Sequence, residues 1–153
     1  MKILSQTPPP SGEGSTSDRL RDCALLILGH GSTENPDSSQ PSWDHAETIA
    51  KSGRFGSVHC AFWKEEPSFR QIWPMIEERE IYVVPNFISE GYFTRQVLPR
   101  ELELTGHTTS RDGRTVHYCD PVGVHPAMTG LLIKRAKEIL DSSVRPEDTS
   151  LII

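Results

Sequence analysis

Short apolar runs recur along this chain, each closed by glycine, proline or a polar cluster. The segments between them carry apolar residues at helical spacing. The first run, Ala24-Leu25-Leu26-Ile27-Leu28, has no polar interruption and ends at Gly29. A continuous apolar run of this length predicts a strand buried on both faces, as in a parallel sheet, here over Cys23 to Leu28. Val58 to Trp63 alternates loosely and predicts a second strand. Ile81-Tyr-Val-Val84 is rich in β-branched residues, is closed by Pro85, and predicts a third. Thr115 to Cys119 predicts a fourth.

Four helices are expected between and after these strands. The first runs from near Pro41 to Lys51, with Ser42 as its cap. The second covers Ser68 to Glu78, with Ile72, Met75 and Ile76 as its stripe and Pro74 disturbing it. The third covers Gln96 to Leu104, with Pro99 in its first turn. The fourth covers Ala127 to Leu140, where Leu131, Leu132, Ala136, Ile139 and Leu140 share a face. Strand and helix alternating four times predict an α/β fold, an open parallel sheet with helices on both faces.

The ends have a different composition. Residues 1–22 contain Pro8 to Pro10 and a Ser/Gly-rich stretch, and are expected to form a disordered tail. Residues 23–142 are expected to form the domain. In 143–153, the stretch Ser143 to Asp148 has linker composition, and Thr149-Ser-Leu-Ile-Ile153 resembles the opening of the first strand. That last run is either the domain's own final strand or the first strand of a second repeat. The linker composition favours the repeat.

At 153 residues the chain suffices for one domain with a sizeable core. A net charge of −5 argues against a basic nucleic-acid-binding face. The three cysteines, Cys23, Cys60 and Cys119, form no CxxC pair, which argues against a zinc ribbon and fits small core thiols in a reducing compartment. The first twenty residues lack an apolar signal region, and no apolar stretch approaches the roughly 20 residues a bilayer span needs. The expectation is therefore a cytoplasmic protein with no membrane and no nucleic-acid partner.

The chemistry gathers around His30, which follows the first run and sits between Gly29 and Gly31. Ligands of parallel α/β sheets bind beyond the carboxyl ends of the strands. An imidazole there can bind a metal or move a proton near neutral pH, and flanking glycines leave room for a bulky partner. A histidine phosphatase would carry an arginine directly before the histidine, where Gly29 stands. No GxxxxGK[ST] loop is present, which argues against a P-loop NTPase.

Four segments follow predicted strands in order: Leu28-Gly-His-Gly-Ser32, Ala61-Phe-Trp-Lys-Glu-Glu-Pro-Ser68, Val84 to Arg95, and Asp120-Pro-Val-Gly-Val-His-Pro126. Together, over about residues 23 to 140, they resemble the CbiX/SirB class of tetrapyrrole chelatases, which insert cobalt, nickel or iron into sirohydrochlorin. The resemblance implies a flavodoxin-like chelatase fold that needs no ATP. It implies that His30 is catalytic, as a metal ligand and acceptor of a pyrrole proton. It also implies a second ligand histidine after the third strand, in a pattern like FLxxGxH. Here that loop reads Phe87-Ile-Ser-Glu-Gly-Tyr-Phe93, so Phe93 stands where the histidine belongs.

An aromatic ring is no ligand for Co²⁺ or Fe²⁺. Glu90 in the same loop or His125 in the next is then expected to join His30 on the metal. Otherwise a second domain supplies the working site, and Phe93 stacks on the macrocycle. The strand-two segment is one residue shorter than the family pattern, so its substrate-contacting glutamate maps to Lys64 or Glu65. Substrate contacts are expected at Ser32, Glu65, Ile88, Ser89, Gly91, Tyr92, Phe93 and Arg95. His45, His59, His107 and His117 carry no expected role.

The function implied is ATP-independent insertion of a divalent metal (Co²⁺, Ni²⁺ or Fe²⁺, itself a substrate) into sirohydrochlorin or a related tetrapyrrole. The alternative is a non-catalytic tetrapyrrole- or metal-binding half that serves as scaffold for an active partner domain. A second chelatase-like domain or a homodimer partner is expected in either case.

Overall fold

The structure, a computed structural model, describes residues 19–35 and 37–139. Strand β1, Cys23–Gly29, is buried along its whole length, as its unbroken apolar run requires. It pairs in parallel with β2, Ser57–Phe62, on one side and with β3, Glu80–Pro85, on the other. Beyond β3 lie β5, Arg114–Tyr118, in parallel, and β4, Thr108–Arg111, antiparallel at the edge. The sheet order is β2-β1-β3-β5-β4. The chain reverses its direction of travel across the sheet between β1 and β3, and such a reversal opens a crevice at the strands' carboxyl ends. The four parallel strands all exit at that edge, through Gly29, Phe62, Pro85 and Tyr118.

One face of the sheet packs Leu26, Leu28, Ile81, Val83 and Val116 against Phe69, Ile72, Ile76, Leu98 and Leu102. The other packs Leu25, Ile27, Cys60 and Phe62 against Ala46 of helix α1, Gln40–Lys51. Beyond the reach of α1 this second face thins, and Tyr82 and Val84 are only half-buried. The predicted α/β architecture with helices on both faces is therefore present, with a mostly parallel sheet.

Several elements differ from the sequence expectation. The cap of α1 is Ser39, not Ser42. Ser42 lies inside the helix, buried, with its Oγ accepting a hydrogen bond from Asn86 Nδ2 at 3.0 Å. The helix expected over 68–78 is a single 3-10 turn, Trp73–Met75. Pro74 has no N–H to continue an α-helix. Ile72 and Ile76 still reach the core, but Met75 is exposed.

The third helix starts early, as a π turn over Phe93–Val97 that leads into α2, Leu98–Glu101. Pro99 cannot donate to the Arg95 carbonyl and its ring crowds that oxygen. The wider turn, with Leu98 N–H donating to Phe93 O, relieves the crowding. The fourth predicted strand is the second arm of a hairpin whose first arm, β4, has no sequence counterpart in the expectation. Asp112 (φ 49°) and Gly113 (φ 74°) form its two-residue turn, the type I′ geometry that favours Asp-Gly.

Helix α3, Ala127–Ile139, forms where expected but buries none of its residues. Leu131 is 46% exposed, Leu132 43% and Ile139 87%. Its apolar stripe has no cover among the described residues. Of the tail expected over 1–22, residues 1–18 lie outside the described residues, and Leu20–Asp22 form a 3-10 turn leading into β1. The linker and repeat expected over 143–153 also lie outside them. Among the described residues no helix is long and apolar enough to cross a membrane.

Candidate functional site

His30 is the first residue after β1 and is exposed at the crevice. The β2 exit clamps the backbone on either side of it. Trp63 N–H donates to Gly29 O at 3.2 Å, and Lys64 N–H donates to His30 O at 2.8 Å. Gly31 has φ +67°, a conformation glycine adopts without strain. A Cβ there would also lie 3.0 Å from Glu65 Cγ and Oε1. Glu65 Oε1 accepts the Ser32 N–H at 2.6 Å and the Ser38 hydroxyl at 2.7 Å. Hydrogen bonds from Ser39, Ser38 and the Ser32 amide hold its carboxyl below the usual range. Ser32 Oγ in turn accepts the Glu34 and Asn35 amides at 3.1 Å each. Glu65 and Ser32, both expected to touch substrate, are thus engaged in bracing the His30 loop.

The imidazole has a defined tautomer. His30 Nδ1 lies 2.9 Å from Gly31 O. A carbonyl oxygen only accepts, so the hydrogen is on Nδ1 and the Nε2 lone pair is left available to a metal or a proton. His125 is the opposite case. Its Nδ1 accepts the Ala127 amide at 3.1 Å, which uses that lone pair at the start of α3 and puts the hydrogen on Nε2.

Phe93 stands beside His30, ring centroids 5.7 Å apart and planes tilted by 44°. It also contacts Trp63 (5.7 Å, 84°) and Phe87 (5.2 Å, 35°), and Trp63 continues to Phe69 at 6.1 Å. This aromatic cluster, partly buried against the core, stands next to the imidazole, and Ile88 and Tyr92 of the same loop are exposed. The β3 loop is tied where it leaves the strand. Asn86 N–H donates to Leu28 O at 2.8 Å, and Gly123 N–H donates to Phe87 O at 2.9 Å. Gly123 sits so close to Ile88 that any Cβ would collide with the Ile88 backbone. Gly91 N–H donates to Thr94 Oγ1 at 3.0 Å and starts the π turn. Ser89 is exposed in the same loop.

Glu90 is paired with Arg95, whose Nε donates to Oε1 at 2.8 Å. The hydrogen bond from the Arg95 guanidinium holds the Glu90 carboxyl below its ordinary range, and the Glu90 carboxylate raises the pKa of Arg95 in return. Among the described residues no three His, Cys, Asp or Glu side chains gather in a metal-binding cluster. His30, Glu90 and His125, expected to share a metal, are therefore not preassembled around one. Glu90 is committed to Arg95, and His125 to the start of α3. Sequence reasoning also missed Trp63, Phe87 and Gly123 as parts of the site, although all three lie inside the four strand-end segments.

A family model for CbiX matches residues 24–139. The chain belongs to the CbiX family. A Halobacterium salinarum protein named "Probable sirohydrochlorin cobaltochelatase" is 45% identical over 147 residues, covering 85% of this chain and 50% of that protein. This CbiX chain thus spans about half the length of that relative. A Methanopyrus kandleri protein named sirohydrochlorin cobaltochelatase is 29% identical over 139 residues, covering 76% of this chain and 96% of that protein.

Among solved structures, a multi-domain Deinococcus radiodurans protein with structural similarity to chelatases superposes with a TM-score of 0.75. It is 32% identical, covering 81% of this chain and 30% of that one. A CbiX protein from Marinobacter aquaeolei superposes with a TM-score of 0.55 over 76% of this chain and 95% of that one. At 20% identity, the second likeness speaks for the fold alone. The chelatase-type α/β fold expected of a CbiX chain is thus the one observed.

Proposed function

We propose that this CbiX domain inserts divalent cobalt into sirohydrochlorin or a closely related tetrapyrrole, with the metal as a substrate and no nucleotide. The observation that carries the reading is the His30 Nε2 lone pair at the mouth of the crevice, next to the aromatic cluster of Phe93, Trp63 and Phe87. A flat macrocycle can stack on the Phe93 ring in offset geometry, with Trp63 standing edge-on to that ring. The names of the Halobacterium and Methanopyrus relatives support cobalt and sirohydrochlorin. Nickel and iron suit the same ligand types and remain competing cargo.

Insertion of one M²⁺ releases two pyrrole protons. The single His30 Nε2 lone pair does one task at a time: it holds the hydrated ion at one face of the ring, is freed as the ion passes to the ring nitrogens, and then takes the released protons one by one and, being exposed, passes each to solvent. A cargo ion has to leave the protein, and a single imidazole carrying a hydrated ion holds it loosely enough for transfer. Ile88, Ser89, Gly91 and Tyr92 border the macrocycle. The three cysteines are free, which fits the cytoplasm.

A second reading is favoured by Phe93 in place of an imidazole and by the half-length match to the Halobacterium protein. In it, this domain binds the tetrapyrrole while a second chelatase-like domain, or a second copy, does the chemistry. One experiment separates them. Sirohydrochlorin is titrated into the protein by absorbance, then Co²⁺ is added, with Ni²⁺ and Fe²⁺ in parallel. Insertion faster than the protein-free control supports the enzyme. Binding without acceleration supports the scaffold. No binding at all sinks both.

A further inference from the structure

A cavity of about 490 Å³ lies beside the His30 crevice, between the π turn and α2 on one side, the Leu104 to His107 turn on another, and the exit of β5. Nothing in the mechanism above uses it. Its volume is in the range of small-molecule pockets, roughly 300 to 1,000 Å³. Its position follows from the π turn. Phe93 faces His30, while the next residues, Thr94 and Arg95, line the cavity. Successive Cα atoms are about 3.8 Å apart, so a ligand over Phe93 is within a side arm's reach of it.

Guanidinium donors identify the ligand class. The cavity wall carries Arg95 and Arg100 against Glu90 and Asp120. Arg100 directs Nε and Nη2 to Glu101 Oε1 at 3.3 and 3.2 Å. Glu101 also takes Arg70, with Nη2 at 2.9 Å. Two guanidiniums therefore share one carboxylate, so neither is fully matched, while Asp120 on the same wall balances the charge of the whole group. A guanidinium has five N–H donors in a planar fork, and the Nη1 donors of Arg100 have no partner among the described residues. Arg95 already shows which group it prefers, since it holds the Glu90 carboxylate at 2.8 Å. That pair is exposed at the cavity's edge, so another carboxylate can replace Glu90 at little cost.

We propose that this cavity is a carboxylate subsite, in which Arg95 and Arg100 take an ionised side arm of the macrocycle and Glu90 occupies Arg95 until the arm arrives. This rests on the tetrapyrrole reading above and extends it to a group that fixes the macrocycle's orientation over His30. With Glu90 displaced, the wall presents two guanidiniums against Asp120. Asp120 opposes the bound arm and weakens binding.

The test is metal-free, so it is independent of turnover. Sirohydrochlorin binding is measured by absorbance for the unaltered protein, Arg95→Gln, Arg100→Gln, Arg100→Lys and Asp120→Asn, with the circular dichroism of each variant compared. Each Gln variant should raise Kd about tenfold, the usual scale for a lost charge-assisted hydrogen bond. Arg100→Lys should recover part of the loss, and Asp120→Asn should lower Kd. The fully methyl-esterified macrocycle should bind the unaltered protein and Arg100→Gln alike. Unaltered binding of sirohydrochlorin by a folded Arg100→Gln variant overturns the subsite and leaves the tetrapyrrole reading standing. Failure of the unaltered protein to bind sirohydrochlorin overturns both.

Discussion

The Phe93 ring lies against the His30 imidazole, 5.7 Å centroid to centroid, in the loop where a second imidazole would share the crevice. Replacing it tests whether the two positions face one metal. Phe93→His should raise Co²⁺ affinity about tenfold or more, since a second ligand on the same crevice binds at high effective concentration. It should also cost about 1 kcal/mol of stability through lost ring contacts with Trp63 and Phe87. Calorimetric Co²⁺ titration and thermal melting check the two effects. An unchanged affinity would mean that the two side chains cannot meet at one ion.

His30→Ala should slow cobalt insertion by about 100-fold or more, the usual scale of a lost proton acceptor. The side chain is exposed, so unfolding free energy should shift by less than about 0.5 kcal/mol. Insertion rates and a urea melt on the same preparation check both. Normal turnover would remove His30 from the mechanism.

Gly123→Ala should be strongly destabilising, by about 2 kcal/mol or more, because the added Cβ meets the Ile88 backbone, which cannot rotate away as a side chain would. It should also loosen Ile88 and Phe87, and so weaken tetrapyrrole binding. Gly130→Ala is the contrast. Nothing lies within 4 Å of a Cβ there, and the residue is within α3. That change should stabilise the helix by about 0.5 to 1 kcal/mol. Denaturant unfolding of the pair gives the signs directly.

Glu65 gives the His30 loop a dependence on acid. Its folded-state pKa is depressed by hydrogen bonds from Ser39, Ser38 and the Ser32 amide, below the ordinary 4.5. A depressed carboxyl contributes stability that is complete above its unfolded pKa and is lost as pH falls through the folded one. The unaltered protein should therefore lose stability relative to Glu65→Gln as pH drops below about 4.5, and the gap should be constant above pH 6. Melting curves from pH 3 to 7 check this. Parallel curves throughout would show that the carboxylate charge contributes nothing to holding the loop.

The parts of this protein that could be read from its sequence are those where local pattern and tertiary role coincide. Strand β1 is buried on both faces, so its apolar run is continuous and His30 marks its end. The β4 strand was missed because Thr108-Thr-Ser-Arg111 is polar, with only Thr109 buried, as an edge strand permits. Its turn, Asp112-Gly113, was legible on its own terms. The helix expected over 68–78 failed because Ile72 and Ile76 can reach a core from an irregular segment as well as from a helix. In the site, Phe93 beside His30 follows from strand order. The commitments of Glu65 to Ser32, 33 residues away, and of Glu90 to Arg95 depend on which groups happen to meet in space. A one-dimensional pattern does not encode that choice of partner.

The π turn at Phe93–Val97 makes residue count, rather than residue identity, the setting that aims this loop. One residue is about 100° of rotation around a helix. Deleting Gln96 would turn the Phe93 ring away from His30 while leaving His30, Phe93 and Arg95 in the chain. A length change of one residue in this stretch thus re-aims Phe93 and Arg95 together, which no single substitution in it does.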